Sequence, residues 1–582
     1  MTFAAEKVKV GRLPAILVEM DLDECALTYG IAPCTASAGS GNECINSRQT
    51  CQDTANFDNT STKTLQFSSV LIPGEPYLHC VESATLAPTV INPNKGLGQR
   101  ASIRIMVNDF PHHDRGIDPY IANRSYDATA QGSYWTKFQA RQRHFAGRPL
   151  RIKSGYIADP FNASDFQTRN YIIDSISGPD AAGRFTIGAK DVLKLADDKR
   201  AQAPIPTTGV LVADITDVAT SLTVTSGTES EYTAEGDYLR IGEEVIQSPV
   251  ANRSSNVFSN LTRGAFNTTA EAHELGDGVQ SCKYLNAVNV VDLVEDLLEN
   301  YASVPTAYIV DADWDAERDN YYSSAVINTV ISKPTGVTEL VNQLAKQFFF
   351  QIWWNEIDQE IIFHPIVPPR NVAVINEFND DQHLIDKSVV LAANEESRLT
   401  RVLVYYNPSN PIDIDDPENY QGIYVIIEAD AESAAEYNDI RQEVILAHFV
   451  DSEALAVQVG GRLLNRFRNV PRMLNFKLDT KDATDWTGNY IDINSARIVG
   501  EGGANKVTRF QVTSVQEVTA PLPGTVYQYK AIELNFTGNY GYIGPNTLGE
   551  YSAEDDADRA NYAFISPATG IFADLTTAYR II

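Results

Sequence analysis

Four cysteines fall inside one stretch, Asp21 to Phe57, and this stretch constrains the fold more than any other feature of the chain. It runs DLDECALTYGIAPCTASAGSGNECINSRQTCQDTANF and holds Cys25, Cys34, Cys44 and Cys51, four of the 6 cysteines present. Rich in Gly, Ser, Thr, Asn and Pro, it has too few apolar residues to hold itself together by burial. Four thiols gathered there point to a covalent or metal staple. The spacings of eight, nine and six intervening residues do not include the two-residue knuckle of a zinc ribbon or finger. Three staples stay open on the residues alone. An iron–sulfur cluster needs four thiolates and accepts long loops between them. A structural zinc needs the same four in a tetrahedron. Two disulfides need an oxidising compartment. Cys80 and Cys282 stand in strand-like apolar contexts and read as buried small hydrophobes.

Compartment bears on that choice. The N-terminus, MTFAAEKVKVGRLPAILVEMDL, lacks the apolar core and small-residue cleavage pattern of a secretory signal. No run reaches the roughly 18 apolar residues of a membrane span. The expectation is a chain made and folded in a cytoplasm, without membrane insertion. Thiols stay reduced there, which moves weight from disulfides to metal. The 46 basic against 76 acidic residues give a net charge of −30. That argues against a nucleic-acid-binding surface, since phosphate contacts demand Lys and Arg. It suits a surface that DNA slides past, although a plain acidic protein is the simpler reading of the charge.

The 582 residues allow roughly three to five domains, and short runs with turn punctuation predict a mainly β chain with a few helices, a β-rich α+β multidomain protein. Residues 1–200 read as a barrel-like β domain, with PAILVEMDL, TLQFSSVLI and ASIRIMV as strands and 21–57 as an insertion at a sheet edge or barrel mouth. Residues 207–284 read as an inserted small β module, with a hairpin turn at Ile241–Glu244. A helix–hairpin unit follows at 285–371. Its first helix has a buried stripe at Val290, Val291, Val294, Leu297 and Leu298. Its second starts at a cap on Thr335 or Thr338 and leads into strands around Trp353 and Trp354. Residues 372–535 read as a second barrel-like β domain containing one helix, on which Arg462, Arg466 and Arg468 are expected to be exposed. Residues 536–582, rich in Tyr, Gly, Asn and Asp, read as an extended arm that orders against a partner.

Other polar constellations read as structural. His112, His113, Asp114 and Asp118 form a polar loop. His273 stands alone and caps the Gly276–Gly278 turn. Asp292, Glu295, Asp296 and Glu299 are the solvated face of a helix. Asp413, Asp415, Asp416 and Glu418 lack the glycine of a calcium loop and enclose a proline. No phosphate loop, nucleophile elbow, HExxH or dinucleotide fingerprint is present, so no catalytic residue is assigned and a non-enzymatic role is expected.

The cysteine segment also resembles a known pattern. CxxTYG…PC followed by CxNxRxTCQD is similar to the N-terminal region of tail-tip (baseplate) hub proteins of long, non-contractile-tailed bacteriophages and gene transfer agents. The matching residues are Cys25, Tyr29, Gly30, Pro33, Cys34, Cys44, Asn46, Thr50, Cys51 and Gln52. The phrase LTRGAFNTTAEAHELGDGVQ resembles one recurrent in phage tail modules, with Asn267 where glycine is usual, and Trp353–Glu356 resembles the hub family's WWDE. Together these cover roughly residues 1 to 520, not the final arm. The resemblance implies a structural virion protein: a homotrimeric hub joining the distal tail protein to the central spike or fibre. It also implies a channel kept closed until genome ejection, through which DNA passes without specific binding. The hub would be assembled in the bacterial host cytoplasm and located at the tail tip. It implies an iron–sulfur cluster, 4Fe–4S with zinc as the alternative, on Cys25, Cys34, Cys44 and Cys51. A tail-associated peptidoglycan hydrolase or peptidase and a receptor-binding adhesin are the competing expectations.

Overall fold

The computed structural model describes residues 3–6, 13–37, 39, 41–92, 95–125, 127, 131–197, 201–233, 235–367, 375–428, 432, 440–518, 526–534, 539–543, 562–563 and 579–581. The chain is mainly β and multidomain, with two sheets curved into half-barrels. The first has eight strands. Pro14–Glu24 is an inner strand, flanked antiparallel by Ser61–Ser68 and Pro149–Tyr156. Its apolar run is continuous because both faces are covered. Ile16, Val18 and Met20 enter the main core, while Ala15 and Leu17 pack on the opposite face against Ile72, Tyr77 and Phe166. The short helix Tyr134–Arg141 closes the main core with Trp135, fully buried against Phe67, Phe138 and Phe185.

The paired strands Val90–Asn92 and Lys95–Gln99 leave this sheet. Their hairpin joins the one formed by Phe350–Asn355 and Glu360–Pro365, through a parallel contact of Leu97 with Ile352. The helix Val337–Phe348 lies across that hairpin. A Cβ on Gly96 would stand 1.9 Å from the Ala345 Cβ, so only glycine permits the approach. The cap of this helix is Gly336 rather than Thr335 or Thr338. The Thr338 hydroxyl turns away to donate to the Ala196 carbonyl at 2.8 Å. The stripe Val290, Val291, Val294, Leu297 and Leu298 is buried as expected, although the helix widens into a π turn after Asp296.

Residues 207–284 build two small sheets around Leu222, Tyr232, Leu239, Ile246 and Phe258. The last strand, Gln280–Asn289, runs on to pair with Val326–Ile331 and so ties the module to the helices. Beyond residue 375 there are two bodies. Arg401–Pro408 is the middle of a three-stranded sheet backed by the helix Glu453–Phe467. Its core is continuous with that of residues 290–366, so burial crosses the boundary expected near 371. The second half-barrel, six strands from Asn376–Asn379 to Val526–Glu533, has a core of its own. Arg466 is not exposed. It is fully buried, and its Nη1 donates to the Glu533 carbonyl at 2.7 Å, joining the two bodies. Of the arm expected at 536–582, only the strands Asn539–Ile543, Tyr562–Ala563 and Tyr579–Ile581 are described, paired in parallel. The rest of that expectation lies outside the described residues.

Candidate functional site

The cysteine segment is the tip of a hairpin, since the two strands it joins, Pro14–Glu24 and Ser61–Ser68, are direct neighbours. Among its described residues, beyond the strand ends, it contains two single turns of 3-10 helix, Arg48–Thr50 and Thr54–Asn56, and no further strand. All four cysteines are half-buried and unpaired. They come from separate turns of the loop yet converge. Burial pushes the Cys44 thiol up, a backbone contact at Asn46 opposes this, and Cys51, Cys25 and Cys34 all lie close enough to push it further. Among the described residues, no three His, Cys, Asp or Glu side chains close within reach of a single metal ion. The other three cysteines thus lie within electrostatic reach of Cys44.

The other residues of the motif knit the loop. Asn46, at φ 47°, has its amide group against Cys25 and Cys44. Its Nδ2 donates to the Cys25 carbonyl at 3.2 Å, and its Oδ1 accepts from the Cys44 Sγ at 3.6 Å. The Cys25 amide in turn donates to the Asn46 carbonyl at 2.7 Å. The Thr50 hydroxyl accepts from the Ile45 amide at 3.0 Å. The Tyr29 hydroxyl donates to Gln52 Oε1 at 3.0 Å, and Gln52 Nε2 donates to the Asn42 carbonyl at 2.7 Å. Gly30 sits at φ +69°, in the left-handed region. A second bond reaches a sulfur: the Asp53 amide donates to Cys51 Sγ at 3.4 Å.

What holds the loop to the body lies outside the motif. The Arg124 guanidinium donates to the carbonyls of Gly41, Glu43 and Cys44 at 2.8, 2.5 and 3.4 Å. Buried Asp118 pairs with the same guanidinium. The Tyr120 hydroxyl accepts from the Tyr29 amide at 2.7 Å, and the Tyr120 ring meets the Tyr29 ring edge-on. Fully buried Ser47 donates to the Arg141 carbonyl at 2.7 Å. Sequence reading missed these anchors because they stand some 80 to 94 residues from their partners. The available signal was the polar loop before Tyr134. Asp114 and Asp118 belong to it, and neither is a surface carboxylate. Asp114 is 1 % exposed between Lys137 and Arg141, each at 2.8 Å. Burial opposes its charge, but His112, Arg141 and Lys137 hold it well below the usual carboxylate range.

The remaining constellations make contacts within the fold. His273 Nε2 stands 2.8 Å from fully buried Glu244 and its Nδ1 3.9 Å from Asp277, so it bridges the turn to the module core. Glu244, at the end of the hairpin turn, accepts from Arg263 at 2.9 and 2.6 Å and from the Gly264 amide at 2.8 Å. Asn267 stands at φ 60°, a conformation that glycine takes freely and asparagine tolerates. Asp292 and Asp296 pair with Arg318 and Lys283. Asp416 caps its own turn, accepting from the Glu418 amide at 2.9 Å.

No family model matches the chain, and no curated protein matches it. Solved structures similar to it include a tail protein from Neisseria meningitidis MC58, at 10% identity and TM-score 0.36 over 77% of this chain and 91% of that one. A prophage tail protein from Listeria monocytogenes EGD-e gives 8% identity and TM-score 0.34 over 81% and 91%. A chain of a native gene transfer agent virion gives 12% and 0.30 over 59% and 92%. Similarity of this depth assigns no family.

Proposed function

We propose that the chain is a structural component of a phage-type tail, the tail-tip hub, and that Cys25, Cys34, Cys44 and Cys51 hold an iron–sulfur cluster within it. The observation that carries this reading is the convergence of the four motif cysteines in a loop whose other motif residues bond to one another around them. Sulfurs on a single zinc, at about 2.3 Å from the metal, would stand close together. A cluster places iron and sulfide between its thiolates and accepts long loops between the cysteines. The loop is a hairpin tip anchored at several points, which favours a structural staple over a catalytic group. In the assembled hub, a homotrimer between the distal tail protein and the central spike or fibre, the excess of acidic side chains would let DNA pass without binding.

Anaerobic purification with metal analysis and visible absorption tests the cluster. Iron and sulfide with thiolate–iron absorption are expected. One zinc per chain and no iron would overturn it. Replacing Cys34→Ser is expected to abolish infectious particles while leaving no enzymatic activity to lose, and normal titres would refute the structural role.

A further inference from the structure

Far from the cysteine loop, a cleft of about 740 Å³ lies between the Phe350–Pro365 hairpin and the loop 480–490 of the second half-barrel. It has the size of a small-molecule site. Aromatic rings line it, among them Trp353, Trp486 and Tyr490, alongside the carboxylates of Asp358 and Glu360 and the amide of Asn489. Among the described residues, no lysine or arginine lines it.

Two polar groups in its wall are unsatisfied. Trp353 is 4 % exposed, and its Nε1 is buried without a hydrogen-bond partner. Gln167 Oε1, in the same wall, is also buried and unpartnered. A buried donor or acceptor left unmade costs about 1–3 kcal/mol. Trp486 is fixed in place, with the Arg169 guanidinium 5.6 Å from its ring centre and Tyr527 edge-on. His364 and Tyr490 are joined at 2.8 Å.

From this lining we infer a binding site for a neutral oligosaccharide. Aromatic rings offer electron-rich faces to the C–H faces of a sugar ring. Carboxylates and side-chain amides accept and donate to vicinal hydroxyls. Among the described residues the lining offers carboxylates and no cation, which favours a neutral ligand over a phosphate or sulfate. This site is independent of the cluster and of the hub reading.

The test is titration of the full-length protein, followed by tryptophan fluorescence and calorimetry, with hexamers of N-acetylglucosamine, glucose (β-1,4 and α-1,4) and mannose, and with a sulfated dextran. At least one neutral hexamer is expected to bind at about 1 mM or tighter, and the sulfated chain is expected not to bind. The double substitution Asp358→Asn with Glu360→Gln keeps shape and is expected to weaken binding about tenfold or more. Trp486→Phe, which keeps a ring, is expected to weaken it less. No binding by any neutral hexamer, preference for the sulfated chain, or unchanged affinity in the folded double variant would each overturn the proposal.

Discussion

Asp191 illustrates how much one side chain can set. It is 1 % exposed, with Oδ2 accepting the Ala101 amide at 2.9 Å and Oδ1 without a partner. Burial pushes its carboxyl up to about 7, against the pull of Arg100. The folded chain thus keeps this proton where the unfolded chain, with an ordinary carboxyl, has released it. The unfolded state binds fewer protons, so this group's contribution to stability falls as pH rises from about 4 to about 7. Buried His364 and His448, pushed down to about 4, act in the opposite direction between about 4 and 6.5. The measurable quantity is therefore the difference between wild type and Asp191→Asn, which mimics the neutral acid. Urea unfolding at pH 5 and pH 7 should show the wild type losing about 2 kcal/mol more than the variant over that interval.

At the scale of elements, the turn from Thr262 to Gly278 is held from outside itself. Its arginine, its histidine and two of its backbone amides all bond to Glu244. Glu244→Ala leaves Arg263 buried without its carboxylate and should cost about 3–5 kcal/mol. Limited proteolysis should then cut first between residues 262 and 278. The same element shows what was legible in advance. The hairpin at Gly242 and the αL position at Asn267 follow from local turn chemistry. The role of Glu244 does not, because its partners lie 19 to 29 residues on. The cysteine loop divides similarly. Its thiols and its knitting residues are close in sequence and could be read there, whereas Arg124, Tyr120 and the Arg141 carbonyl could not. Stripes such as Val290 to Leu298 were legible because periodicity reports burial directly. Arg466 misled because a charged helix end is usually solvated, and only tertiary packing on Glu533 buries it.

Across the whole molecule, three parts meet at one buried charge. Arg169 comes from the first half-barrel, Glu356 from the hairpin and Glu517 from the second half-barrel. Arg169 and Glu517 are paired in full burial, with Glu356 at 4.0 Å. The Tyr527 hydroxyl also donates to Glu517, at 3.1 Å. Arg169→Leu strips two buried carboxylates of their cation and is expected to cost about 3–5 kcal/mol. In calorimetry the loss should appear as separation of the second half-barrel into its own, lower transition. A single transition merely shifted downward would contradict this account.

Next to that charge, the Thr89 hydroxyl donates to Glu356 at 3.2 Å across 267 residues of chain. A ribosome adding 5–20 residues per second needs roughly 13 to 53 seconds to make the second partner after the first. Through that interval the strand Lys95–Gln99 has emerged without the strand Phe350–Asn355 that pairs with it. An uncovered strand edge is a template for pairing between chains. Slower translation of residues 100 to 350 is therefore expected to raise the share of chains that aggregate, measurable as the soluble fraction when synonymous codons in that stretch are slowed.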